Sequence, residues 1–240
     1  MVRRMPFSFA WGTVPGALLA LSLAGCAAAG PPAIPAGPPA PDPQPVAEQL
    51  VRATAPTAPR QVTFGWELDE AGARFRGRGV VRMEGPDRLR LDLFGPRGET
   101  YLAAAMVGDS VRAPAALASM IALPSPSLLW GALGVVRPPT SARLLGATGS
   151  DSGASSLRYE AAAGETVEFG ATNSRLSTVR RVGRSNTLET VALGYSPQGA
   201  LTRAEYRNWA AYRTLVLNIE TIENVAAFPE ATWNPGGAAR

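Results

Sequence analysis

Leu89, Leu91 and Leu93 alternate with Arg88, Arg90 and Asp92, and this period of two constrains the fold more than any other feature of the chain. Alternation sends successive side chains to opposite faces, so it dictates a sheet with one buried side and one solvated side. The pattern begins after Gln61, where Val62, Phe64, Trp66 and Leu68 alternate with Thr63, Gly65 and Glu67. Beyond the turn Glu70-Ala71-Gly72, residues 73–84 place Arg74, Arg76 and Arg78 on one face and Phe75, Gly77 and Gly79 on the other. Two glycines on an inward face predict a bend or a close backbone approach. Residues 100–107 return after the turn Phe94-Gly95-Pro96-Arg97-Gly98, and Val111 belongs to a short strand beyond Gly108-Asp109. Six further strands are expected over 156–162, 166–171, 175–182, 187–195, 201–209 and 212–226. The length of the last predicts a bulge. Turn signals at this spacing predict one antiparallel sheet of about ten strands, and a sheet that wide curls over its apolar face.

Between the two sets of strands the pattern changes. Residues 114–123 hold Leu117, Met120 and Ile121 among alanines, and residues 127–135 hold Leu128, Leu129, Trp130 and Leu133. Pro124, Pro126 and the pair Pro138-Pro139 bound these stretches, which predicts two short apolar helices. They are the natural cover for the concave face of the sheet. Leu144-Leu145-Gly146 reads as a brief apolar piece.

Composition removes several kinds of chemistry. The 240 residues contain no histidine and a single cysteine, Cys26. Without histidine there is no Ser-His-Asp arrangement and no imidazole ligand for a metal. Acidic residues are scattered singly, so neither a carboxylate pair nor a calcium loop is present. Gly77-Arg78-Gly79 sits in a strand and lacks the phosphate-binding fingerprint. All 23 basic residues are arginine, and the net charge of +4 falls short of the concentrated basic face that nucleic acid requires. The sequence therefore predicts a protein that is not an enzyme, has no cofactor or metal, and binds no nucleic acid.

The N-terminus carries an address. Arg3 and Arg4 precede an apolar run that ends at Leu23, too short for a membrane span and typical of a secretory leader. Leu23-Ala24-Gly25-Cys26 resembles the lipobox of bacterial lipoproteins. That resemblance implies cleavage before Cys26 and a diacylglycerol on its thiol, so the cysteine is an anchor, and several acyl chains give stable attachment. Ala27 in place of an aspartate points by analogy to the outer membrane, with the domain facing the periplasm. Residues 27–60 hold ten prolines in 34 positions, which predicts an extended, semi-rigid tether, with a turn or two of helix near residues 46–55. The expected organisation is a signal peptide over 1–25, a lipidated cysteine and tether over 26–60, a β domain over 61–230, and a flexible tail over 231–240.

The hairpin of residues 88–100 with its Gly95-Pro96-Arg97-Gly98 turn is similar to one in the LolA/LolB superfamily of lipoprotein carriers and receptors. So is the order Leu128-Leu129, Gly134, Pro138-Pro139, Leu144-Leu145-Gly146. The lipobox suits the receptor branch, whose members are themselves lipoproteins. The resemblance implies a mainly β fold with two or three short helices: an incomplete, half-open antiparallel β-barrel whose concave face is covered by helices. It also implies an apolar cavity for acyl chains, lipoprotein cargo, and a periplasmic carrier protein as partner. One departure stands out. The receptor has a protruding aliphatic residue on this turn, and the matching position here is Arg97.

On this reading Phe64 and Trp66 line the interior, and Leu117, Ile121, Leu128, Leu129, Trp130 and Leu133 form the cavity or its lid. Phe94, Arg97 and the strip Arg74, Arg76 and Arg78 contact a membrane or a partner. Acyl-chain binding in lipoprotein sorting is the leading expectation. The alternative is a structural envelope lipoprotein that binds a protein partner through the arginine strip and the Arg97 turn. An apolar cavity of several hundred cubic ångströms would favour the first.

Overall fold

A computed structural model describes residues 30–35, 37–114, 123–150, 153–161 and 164–236. The leader, Cys26, and the expected first helix with Leu117 and Ile121 lie outside these residues. The elements below all belong to the unit formed by Pro31–Arg240.

The first run of strands is β1 (Arg60–Glu70), β2 (Ala73–Glu84), β3 (Arg88–Phe94), β4 (Thr100–Val107) and β5 (Ser110–Arg112). The second run opens with β6 (Arg143–Gly149), β7 (Ala154–Glu160), β8 (Thr166–Thr172) and β9 (Arg175–Val182). It closes with β10 (Thr187–Tyr195), β11 (Leu201–Asn208) and β12 (Arg213–Asn224). Each run is a meander. Pairing of β1 with β12 joins them into one 12-stranded antiparallel sheet, open between its edge strands β5 and β6. The architecture is an incomplete barrel, mainly β, with two α-helices among the described residues.

About ten strands were expected, and β6 is the one that alternation did not reveal. Its register slips between Leu144 and Gly146, so Leu145 bulges out to 40% exposure and the period of two is lost. The bulge expected in the last strand is Glu220: Thr63 faces Thr221 and Phe64 faces Ile219, which leaves one extra residue on β12.

The inward glycines have a steric cause. Trp66 pairs with Gly77 and Phe64 with Gly79 across β1 and β2. A Cβ on Gly79 would lie 2.4 Å from the Phe64 ring, and one on Gly77 would lie 1.9 Å from the Phe94 carbonyl oxygen. The rings of β1 thus lie over the bare backbone of β2. Trp66 Nε1 then donates to the carbonyls of Arg78 at 3.0 Å and Phe94 at 3.2 Å, tying β1 to both following strands.

Two segments outside the alternating strands join the fold. The expected tether contains α1 (Pro43–Thr54), three turns rather than one or two. Asp42 caps it by accepting from the Gln44 amide at 3.1 Å, and Pro43 occupies the first turn, where no amide donor is needed. Ala47 and Leu50 are buried as the helix packs on β6 and β9. Just before it, residues 38–40 run along the β6 edge: the Ala40 amide donates to the Ala147 carbonyl (2.9 Å), and the Gly149 amide donates to the Pro38 carbonyl (3.1 Å). At the other end, a 3-10 turn over Glu230–Trp233 seats Trp233 with no exposed surface on β3 and β4. Of the residues expected to form a flexible tail, 231–233 belong to this turn, and 237–240 lie outside the described residues.

Candidate cavity and lid

The helix expected over 127–135 is shorter, α2 (Pro126–Gly131). Pro126 starts it, and the chain then turns through Leu133 and Gly134, where φ reaches +78°, a conformation that suits glycine. Gly131 lets the turn sit close on the sheet, since a Cβ there would lie 2.6 Å from Val179 Cγ2. Leu128 and Trp130 are fully buried, Leu133 nearly so, and Leu129 is half-buried.

Beneath this segment lies an apolar cavity of about 90 Å³. Its sheet wall is Trp66 and Leu68 from β1, Leu91 and Leu93 from β3, and Leu215 and Leu217 from β12. Its cover is Leu123, Pro124, Leu128, Leu129, Ala132 and Leu133. Of the residues assigned from the sequence, Trp66, Leu128, Leu129 and Leu133 line the cavity. Phe64 is buried behind the wall, over Gly79. Trp130 is turned into the lid's packing with the Arg137 guanidinium 5.4 Å from its ring, and it does not reach the cavity. Leu117 and Ile121 lie outside the described residues.

Sequence reasoning missed the polar side of this site. Glu70 and Arg213, opposite each other on β1 and β12, border the cavity and form an ion pair, with Arg213 Nε donating to Glu70 Oε1 at 3.0 Å. Tyr101 and Tyr206 also line it. The Tyr206 hydroxyl donates to Glu189, which is 4% exposed and also receives Arg181 Nε (2.5 Å) and Asn208 Nδ2 (3.3 Å). Arg181 reaches on to Glu165 at 2.8 Å. Burial, and then the neighbouring Glu189 carboxylate, push the Tyr206 hydroxyl well above the usual tyrosine range. A period-two reading places Tyr206 inward, but which side chain it meets depends on the hairpin registers of β9, β10 and β11, where Glu189 pairs with Arg181 on one side and Asn208 on the other.

The arginine strip is mostly spoken for. Arg74 pairs with Asp69 at 3.1 Å and Arg78 with Glu220 at 3.2 Å on the outer face. Arg90 and Arg82 hold Asp92, and Arg90 also donates to the Thr232 carbonyl at 3.0 Å. Arg88 binds Glu230 and lies 5.9 Å from the Trp233 ring, so these basic residues fasten the C-terminal turn. The guanidinium groups of Arg76 and Arg97 make no ion pair among the described residues. The Arg97 turn is closed by its own amide donating to Glu99 Oε2 at 2.8 Å, and Phe94 beside it is half-buried. No cluster of three or more His, Cys, Asp or Glu suited to a metal occurs among the described residues.

No protein-family model matches the chain, and no curated protein matches its sequence. Solved structures do match its fold. A LolA superfamily protein from Nitrosomonas europaea is 16% identical, with a TM-score of 0.54 over 81% of this chain and 98% of that one. A domain from Vibrio parahaemolyticus named for outer membrane lipoprotein sorting is 11% identical, with a TM-score of 0.50 over 80% of this chain and 96% of that one. The chain thus shares the fold of the LolA/LolB superfamily.

Proposed function

We propose that this protein is a lipid-anchored, non-enzymatic envelope protein that binds the acyl chain of an amphiphile, in keeping with lipoprotein sorting to the outer membrane. The observation that carries this reading is the apolar cavity under a proline-bounded lid. An enclosed apolar wall favours an alkyl chain by about 0.8 kcal/mol per buried methylene. The Glu70–Arg213 pair gives one side of the site a polar character that suits a ligand with a head group. In this reading Cys26 holds the domain at the periplasmic side of the outer membrane. Arg76, Arg97 and Phe94 face lipid head groups or a periplasmic carrier that delivers lipoprotein cargo. The lipobox and the shared superfamily fold support that assignment.

The cavity is smaller than the several hundred cubic ångströms expected, and at about 90 Å³ it holds only a short alkyl segment. A longer chain requires the lid to move. The small volume also favours, as a second reading, an envelope scaffold that binds a protein partner through Arg76 and the Arg97 turn. Native mass spectrometry of the membrane-extracted protein separates the two. A bound acyl ligand that is lost in Leu129→Asn, with the fold retained, supports carriage. An empty cavity in both forms, with no transfer of a labelled lipoprotein, rejects it.

A further inference from the structure

The lid is built with unmet polar needs. Five buried side-chain polar atoms among the described residues lack a hydrogen bond, and three of them fall in the 13-residue stretch 125–137 that contains the lid: Ser125 Oγ, Trp130 Nε1 and Arg137 Nη1. Buried donors and acceptors without partners raise the free energy of the state that buries them. The closed lid is therefore held down by its leucines against a polar penalty that water would relieve on opening. Such a segment needs something else to set its resting position.

That contact comes from the far side of the sequence. Thr54, the last residue of α1, accepts the Val136 amide on its Oγ1 at 3.0 Å and donates the same hydroxyl to the Leu50 carbonyl at 2.9 Å. Val136 lies two residues beyond Gly134, where the lid turns back toward β6. Val135 is itself tied to the lid, its amide donating to the Trp130 carbonyl at 3.2 Å, so a lid that swings open carries the adjoining Val136 amide with it and breaks the bond, unless α1 moves too. The helix itself is seated by Ala47 and Leu50, and residues 38–40 ahead of it are paired to β6.

We propose that Thr54 is the positioning residue of the lid, so that docking of the N-terminal strap and closure of the cavity form one coupled equilibrium. This rests on the acyl-chain reading only for its purpose, since the latch itself is a property of the empty protein. Movement of the strap, which leads toward Cys26, would loosen the lid and favour ligand exchange.

Hydrogen exchange on the full chain in lipid nanodiscs tests this with Thr54→Val and Thr54→Ser. The informative amides are Leu128, Leu129, Ala132 and Leu133, whose own acceptors, Ser125, Leu128 and Trp130, are untouched by the substitution. The expected result is exchange roughly tenfold faster in Thr54→Val, near wild type in Thr54→Ser, and unchanged in β1 and β12 in both. Unchanged lid amides in Thr54→Val, or equally fast exchange in Thr54→Ser, overturn the proposal. A dodecyl diazirine probe supplies the second measurement. Adducts on residues 123–133 that rise in Thr54→Val support the coupling, and adducts present but indifferent to Thr54 refute it while leaving the acyl-chain reading intact. Absence of adducts in every form refutes that reading, and the exchange comparison still decides the latch.

Discussion

Leu129 and Tyr206 show how single side chains divide the work at this site. Leu129 is half-buried on the lid and borders the cavity, so a polar replacement can turn partly to water without breaking the core. Leu129→Asn is expected to weaken dodecyl-probe binding about tenfold or more and to lower stability by less than about 2 kcal/mol, measured by fluorescence titration and urea unfolding. Tyr206 instead anchors the polar side through Glu189. Its hydroxyl holds its proton more tightly when folded, because burial and then Glu189 oppose the phenolate. The unfolded hydroxyl ionises near pH 10. The resulting stabilisation is complete below that pH and is lost as pH rises through the higher folded value. Tyr195, pushed up to about 12 by burial against the pull of Arg175, adds to the same slope. Urea midpoints should therefore fall from about pH 10 upward, and Tyr206→Phe should flatten that fall without abolishing it. A slope identical to wild type in Tyr206→Phe would show that the hydroxyl does not carry the linkage. Trp66 and the lid leucines were legible at this scale because a large apolar residue in a periodic run has few places to go. Phe64 and Trp130 satisfied the same rule yet turned away from the cavity, since periodicity fixes a face but not which neighbour fills it.

Among the elements, β2 is the clearest case in which sequence pattern and packing meet. Its paired inward glycines predicted a close approach, and the approach is made by the rings of Phe64 and Trp66. A methyl group at Gly77 meets the Phe94 carbonyl, which is backbone and cannot swing aside. Gly77→Ala should therefore lower stability by about 1–3 kcal/mol and weaken the β2–β3 pairing, as followed by urea unfolding and amide exchange in β3. The strands were legible where a strict period of two ran for several residues. β6 was not, because its bulge at Leu145 interrupts the alternation. α1 was obscured by the prolines around it, although Asp42-Pro43 is a good helix start and Ala47 and Leu50 share its buried face. Truncation of Leu50 to alanine should cost about 2–5 kcal/mol, a loss that a free tether would not show in thermal unfolding. The seat of Trp233 was hidden for another reason: Arg88 and Arg112, which contact it, and Arg90, which holds the neighbouring Thr232 carbonyl, lie more than a hundred residues earlier, on a face that reads as solvated.

At the scale of the whole molecule, the open sheet creates an apolar concavity, and residues 123–133 of the connection between its two meanders lie over it. Apolar burial alone would favour tight closure, and the cavity measures only about 90 Å³. A void of that size gives a short alkyl chain its full benefit only until the wall is met. Affinity across a series of alkyl probes should therefore rise about fourfold per methylene at first, the factor equivalent to about 0.8 kcal/mol. What happens next depends on the lid. If it is fixed, affinity levels off after a few carbons, because each further methylene stays in water or must displace packed side chains. If the lid can swing open and is relieved of its unpaired polar atoms when it does, the increments continue to longer chains. Continued gains up to about twelve carbons, measured by calorimetry, are the expected outcome, with a negative heat-capacity change that deepens with chain length as apolar surface is buried. An early plateau would mean that the concavity is a packed core with a small void, and that the protein meets its partners on its surface.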